Sequence, residues 1–195
     1  TCALPIWIDQ AFLVIKDREK HKYLTDFINQ NRGQVIVFCS TKIRTRNVAR
    51  DLIKSRYKVV AIEGDMSQNK REYSMMKFRK NQADILVATD VAARGLDIPL
   101  IQHVINYDLP QVPEDYIHRI GRTARADTTG VAITLINPDD MYKFRNIETL
   151  IENEVPKVKL PEVLGDGPEW RKTSSKGKNN NGGRKKFQGK KKFYG

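Results

Sequence analysis

Cysteine and histidine are the scarcest reactive residues here: the 195-residue chain has two cysteines, Cys2 and Cys39, and three histidines, His21, His103 and His118. Two cysteines make no disulfide framework and no thiolate cluster, and Cys39 falls in an apolar run where Cys acts as a small hydrophobic residue. The histidines lie on separate segments with no cysteine or acid to complete a ligand set, so no metal site is expected. This cysteine usage fits a reducing, cytoplasmic setting. No apolar run approaches the ~20 residues that cross a bilayer, so no membrane role is indicated. Thr1 to Trp7 lack the basic start and apolar core of a signal peptide. Also missing is any Gly-x-x-x-x-Gly-Lys-Ser/Thr segment, the loop that cradles a phosphate chain.

Acidic residues are few for so charged a chain, 23 against 35 Lys and Arg, which leaves a net charge of +12. Most of the excess is at one end. Residues 168–195 hold ten Lys or Arg and a single acid, Glu169, so +9 belongs to that stretch and +3 to the rest. Lys, Gly, Asn and Ser dominate it, with isolated Phe187, Phe193 and Tyr194. Such a composition cannot bury enough apolar surface to offset its ordering entropy. Residues 166–195 are therefore expected to form a disordered basic tail. Clustered cations suit a phosphate backbone and interspersed aromatics suit unpaired bases; a merely solubilising terminus is the alternative.

Upstream, short apolar runs alternate with helical patterns, the signature of an α/β domain whose parallel sheet is sandwiched by helices. The periodicity predicts helices over 19–29, 43–55 and 68–79, a helix opening at Pro113 and continuing through Ile120, and a last one from Pro138 to about Ile151. Strands are predicted over 34–39, 58–62, 84–88, 101–107 and 130–136. The domain boundaries expected are a lead-in at 1–12, the domain at 13–155, an extended linker at 156–165 and the tail.

Four segments carry chemistry. His118-Arg119-Ile120-Gly121-Arg122-Thr123-Ala124-Arg125 sets Arg122 and Arg125 three apart behind a glycine, where two guanidinium groups can converge on one oxyanion. Ala88-Thr89-Asp90-Val91-Ala92-Ala93-Arg94-Gly95-Leu96-Asp97-Ile98-Pro99 follows the apolar run Ile85-Leu86-Val87, so a buried strand delivers a hydroxyl, a carboxylate, an arginine and a glycine to the carboxyl edge of a sheet, where ligands bind in open α/β folds. Gly64-Asp65-Met66-Ser67-Gln68-Asn69-Lys70-Arg71 places a Gln-x-x-Arg at a helix start. Val35-Ile36-Val37-Phe38-Cys39-Ser40-Thr41-Lys42 repeats the strand-then-hydroxyl arrangement. Asp90 reads as an internal partner for a nearby arginine.

In this order the four segments resemble motifs VI, V, Gln-x-x-Arg and IV of the second RecA-like lobe of the DEAD-box RNA helicases, over about residues 10–150. Ala124 departs from the glycine usual in that family, which touches local backbone geometry and not the arginines. The resemblance implies that Arg122 and Arg125 are arginine fingers for ATP hydrolysis and that Asp97 contacts the ATP ribose. It implies RNA-backbone contacts at Thr89, Arg94 and Gly95, extended by Arg71, Gln68 and Thr41, and coupling between lobes through His118 and Arg119. Asp97 has a second reading as a cap or turn former, and Gln68 and Thr41 as helix caps. Backbone contacts carry no base information, so RNA recognition, of duplex and single strand alike, is expected to be sequence-independent.

With no phosphate loop and no Asp-Glu-Ala-Asp, the chain is expected to be the carboxy-terminal half of an ATP-dependent helicase, truncated before Thr1, inactive alone and monomeric. ATP, with Mg2+ held mainly by the amino-terminal RecA-like lobe, and that lobe itself are the implied cofactor and partner. Two rivals stand beside it: a stand-alone RNA-binding module without ATPase function, and a lobe from another superfamily-2 branch. Arg122 and Arg125 disfavour the first, since neither is needed merely to hold RNA. The pairing of His-Arg-Ile-Gly-Arg with Arg-Gly-Leu-Asp-Ile-Pro disfavours the second.

Overall fold

The computed structural model describes residues 8–123 and 130–171. Chain order is β1 (Ile8–Val14), α1 (Lys20–Gln30), β2 (Val35–Phe38), α2 (Lys42–Lys54), β3 (Val59–Ile62), α3 (Gln68–Arg79), β4 (Ile85–Ala88), α4 (Asp90–Ala93), β5 (His103–Asn106), α5 (Pro113–Ile120), β6 (Gly130–Ile136) and α6 (Met141–Ile151), with 3-10 turns before α1 and α6. The six strands among the described residues are all parallel, in the order β1-β6-β5-β2-β4-β3. β2, β4 and β5 stand inside the sheet with every residue buried, which is why they read as unbroken apolar runs and not as alternating ones.

Alternate residues of each strand feed two cores. Val35, Val37, Cys39, Ile85, Val87 and Ile105 meet Tyr23 and Leu24 of α1 and Val48, Ala49 and Leu52 of α2. Ile36, Phe38, Leu86, Ala88 and Val104 meet α3, α4, α5 and α6 through Met75, Phe78, Ala92, Ala93, Tyr116, Ile120 and Phe144. The result is a helix–sheet–helix sandwich, as the alternation of elements predicts.

Two expectations are corrected. Ile8–Val14, placed largely in the lead-in, is an edge strand in register with β6 over its whole length, from Ile8 opposite Gly130 to Val14 opposite Ile136. Asp9 and Gln10 break its apolar pattern, and only the distant β6 makes it a strand. The basic tail, expected to be disordered from 166, begins with an ordered piece: Trp170 packs its ring 4.8 Å from Phe12 and 6.3 Å from Phe144. The segment before it also adds to the sheet edge, with Phe12 N donating to Pro156 O and Val158 N to Phe12 O. The rest of the tail, 172–195, lies outside the described residues. Among those described, no helix is long and apolar enough to cross a membrane.

Candidate nucleotide and nucleic-acid interface

The connection leaving β2 crosses to the α1–α2 face, whereas those leaving β4 and β5 cross to the other. Such a reversal opens a crevice at the carboxyl edge. The segment after β4 turns there into α4: Thr89 caps it, its hydroxyl accepting from Ala92 N at 3.4 Å, and the chain leaves through Gly95 at φ +73°. A side chain at 95 would meet no neighbour, so the glycine serves its left-handed backbone and not close packing. α5 begins at Pro113, whose missing N–H does no harm in a first turn, and ends at Gly121, leaving Arg122 in the turn beyond.

Between α4 and α5 lies a cavity of about 170 Å³ lined by Phe38, Asp90, Arg94, Gly95, Asp115, His118, Arg119 and Arg122, among others. Arg119 is its floor. With its side chain 1% exposed, it donates Nε and Nη2 to Asp90 at 2.6 and 2.8 Å, and Nη1 to Asn106 Oδ1 at 3.1 Å and to the Asp108 carbonyl at 2.7 Å. Its guanidinium carbon also lies over the Phe38 ring, 5.0 Å from the centroid. Asp90 is thus the arginine partner expected of it. From this position Arg119 ties α4 to the end of β5. His118, one position earlier, is exposed.

Arg94 Nη2 donates to Asp115 Oδ1 at 2.5 Å, and that hydrogen bond, with the attraction of the same carboxylate, raises the Arg94 pKa above the ordinary arginine value. Arg122 is half-buried. Arg125 lies outside the described residues. Arg71 adjoins the pocket from α3 by donating Nη2 to the Ala92 carbonyl at 2.7 Å.

The other candidates stand apart. Thr41 caps α2, accepting from Arg44 N at 3.1 Å. Gln68 donates to Glu72 at 2.8 Å, and Ser67, not Gln68, is the residue preceding α3. Asp97 has a side chain 94% exposed and is held through its carbonyl by Arg79 Nε at 3.1 Å and Nη2 at 2.5 Å.

A neighbouring ionic cluster has no counterpart in the motifs. Lys20, 1% exposed, donates to Tyr107 O at 2.7 Å and Asp108 Oδ1 at 3.2 Å. Arg44 joins Asp17 and, at 3.3 Å, Asp108. Asp108 Oδ2 also accepts from Ser40 N at 3.1 Å and Ser40 Oγ at 3.3 Å, so it holds the exit of β2 beside that of β5. The Arg44 hydrogen bond keeps the Asp17 carboxyl below its usual pKa. One sequence signal points to Lys20: it shares a helical stripe with Tyr23, Leu24 and Phe27 and so faces the core. Cys39, buried at the same edge, has its thiol pushed up by burial, which makes it an inert core residue. Among the described residues no group of three or more His, Cys, Asp or Glu is placed to hold a metal ion.

A wholly parallel sheet with arginines converging on its carboxyl edge defines a RecA-like α/β domain. Residues 19–127 match the family model described as the helicase conserved C-terminal domain, and the chain belongs to that family. It is 44% identical over 155 residues to the ATP-dependent RNA helicase CshA of Limosilactobacillus reuteri, covering 79% of this chain and 31% of that protein. The chain thus spans about a third of the length of that relative. Among solved structures it resembles the E. coli DEAD-box protein SrmB, crystallised bound to regulator of ribonuclease activity A, with TM-score 0.77, 32% identity, and 88% of this chain and 99% of that one covered. It also resembles S. cerevisiae Dbp5 bound to RNA and ADP BeF3, with TM-score 0.73, 30% identity, and coverage of 80% and 42%.

Proposed function

We propose that this domain is the carboxy-terminal lobe of an ATP-dependent DEAD-box RNA helicase. The observation that carries the reading is the arginine pocket. Arg122 and Arg94 reach the same cavity, at the edge where open α/β sheets bind ligands, and the cavity of about 170 Å³ is smaller than the ~300 Å³ and upward of sites that enclose a whole small molecule. Such a half-site suits a nucleotide shared with a second surface. That surface is the amino-terminal lobe, which would carry the phosphate loop and most of the ligands of Mg2+.

ATP supplies the γ-phosphoryl group and RNA the reason to close the cleft. Arg122, with Arg125, neutralises charge developing on the phosphoryl oxygens, a contribution worth about 10³–10⁵ in rate for an arginine finger. Asp97 contacts the ribose from an exposed position. Arg94, Gly95, Thr89 and Arg71, with Gln68 and Thr41 further along, follow the RNA backbone without reading bases. His118 reports closure across the gap, while Arg119 holds α4 and α5 in register beneath it. The RNA and nucleotide bound to Dbp5 support both ligands for this lobe. Hydrolysis resets a cycle in which closure bends one strand out of a duplex, and the lobe acts as part of a monomer in the cytoplasm.

The deciding experiment is Arg122→Lys in the helicase that carries this lobe. Lysine keeps the charge and loses the planar fork. RNA-stimulated ATP hydrolysis should fall by about 10³-fold or more with an unchanged melting curve; near-normal turnover would overturn the finger assignment.

A further inference from the structure

Two carboxylates share the pocket with three arginines, and they are held differently. Asp90 is gripped by two donors of Arg119, a side chain with no room to leave. Asp115 lies in the first turn of α5 with its side chain 8% exposed, and its carboxylate receives its only described hydrogen bond from Arg94, whose own side chain is 61% exposed. A guanidinium has five donors, and this contact uses one. Arg94 can therefore swing or stay, but a phosphate that draws it outward leaves a buried carboxylate without its partner, which is unfavourable. While the pair is closed, the Arg94 charge is cancelled at short range.

We propose that Asp115 is an internal competitor for RNA phosphate: it neutralises Arg94 in the free lobe and thereby sets the strength and the salt dependence of RNA binding through Arg94. The proposal rests on the reading of Arg94 as a phosphate contact. It also gives α5 a second function. Besides presenting His118 and leading to Arg122, the helix carries the charge that governs an arginine on the neighbouring segment, so a shift of α5 that lengthens the 2.5 Å contact releases Arg94 toward RNA.

The test uses the 195-residue chain and a fluorescent oligouridylate titrated across several salt concentrations, with melting curves for each variant. Asp115→Asn is nearly isosteric and can still accept from Arg94, so the fold is retained; Asp115→Ser serves if the melt shifts. An ion pair with one partner open to solvent is weak, so Asp115→Asn should tighten binding about two- to fivefold at low salt. It should also steepen the plot of log K against log salt by about 0.7, the increment for one more phosphate on a single strand. Arg94→Met should weaken binding, and in the double variant the gain from Asn should vanish. Binding no tighter in Asp115→Asn, with Arg94→Met still weakened, would overturn the competitor and leave Asp115 as a support that orients Arg94. A gain that persists in the double variant would overturn it too, as an effect of net charge alone. No loss in Arg94→Met, or no RNA binding by the parent, would remove the phosphate reading of Arg94 and the competitor with it.

Discussion

Arg119 shows how a charge is kept in a domain interior. Its guanidinium has five N–H donors and four hydrogen bonds, two of them to one carboxylate at 2.6 and 2.8 Å. Removing one partner of such a pair leaves the other buried and uncompensated, at a cost of about 3–5 kcal/mol. Arg119→Met should therefore lower stability by about that amount in denaturant unfolding, and Asp90→Asn by less, because the amide oxygen still accepts. A loss near zero would mean that the pair does not hold α4 to α5. Position 119 was legible as an arginine of consequence from its motif, but that it is the arginine Asp90 holds was not. An octapeptide does not say which of its side chains turn inward, and Arg119 turns in because Asp90, 29 positions earlier, waits at the N-terminus of α4.

At the scale of elements, α1 and α2 are joined across the sheet edge by Asp17, Lys20, Arg44 and Asp108. The Arg44 hydrogen bond, and more weakly the charge of Lys20, hold the Asp17 carboxyl below its ordinary value of 3.8, against the opposing effect of burial. A carboxyl depressed on folding stabilises the native state above its unfolded pKa and loses that contribution as pH falls through the folded one. Asp17→Asn should thus melt below the parent near neutral pH, and the gap between the two should close as the pH drops from about 5 toward 2. A gap that is constant with pH would remove the ionic account. The elements themselves were largely readable: α3 runs over Gln68–Arg79 and β6 over Gly130–Ile136, as the periodicity predicts. β1 was not, because a strand interrupted by Asp9 and Gln10 depends on a partner more than a hundred residues away.

The whole molecule joins a compact sandwich of modest charge to a strongly basic extension. In the proposed function the sheet supplies geometry at one edge and the extension supplies affinity for RNA. Removing residues 172–195 should weaken RNA binding and flatten its dependence on salt, since every phosphate of a single strand that a cation neutralises adds about 0.7 to the slope of log K. The melting of the domain should hardly change, because Trp170, which seals Phe12 and Phe144, is kept. Unchanged binding at low salt would rule out a tethering role.

Local chemistry lies in the order of the residues: apolar runs of strand length, helical stripes, the Gln-x-x-Arg and the paired arginines at 122 and 125 are all consequences of nearest neighbours and short spacings. The sandwich and the family follow from them. Pairing across the fold does not. That Arg94 is held by Asp115 and that Asp108 gathers Ser40, Lys20 and Arg44 were decided when the parallel sheet brought the ends of β2, β4 and β5 within hydrogen-bond reach, and that Trp170 packs on the core was decided when β1 and α6 brought Phe12 and Phe144 together. Hydrogen bonds and packing contacts act over a few ångströms of space, whatever the separation along the chain.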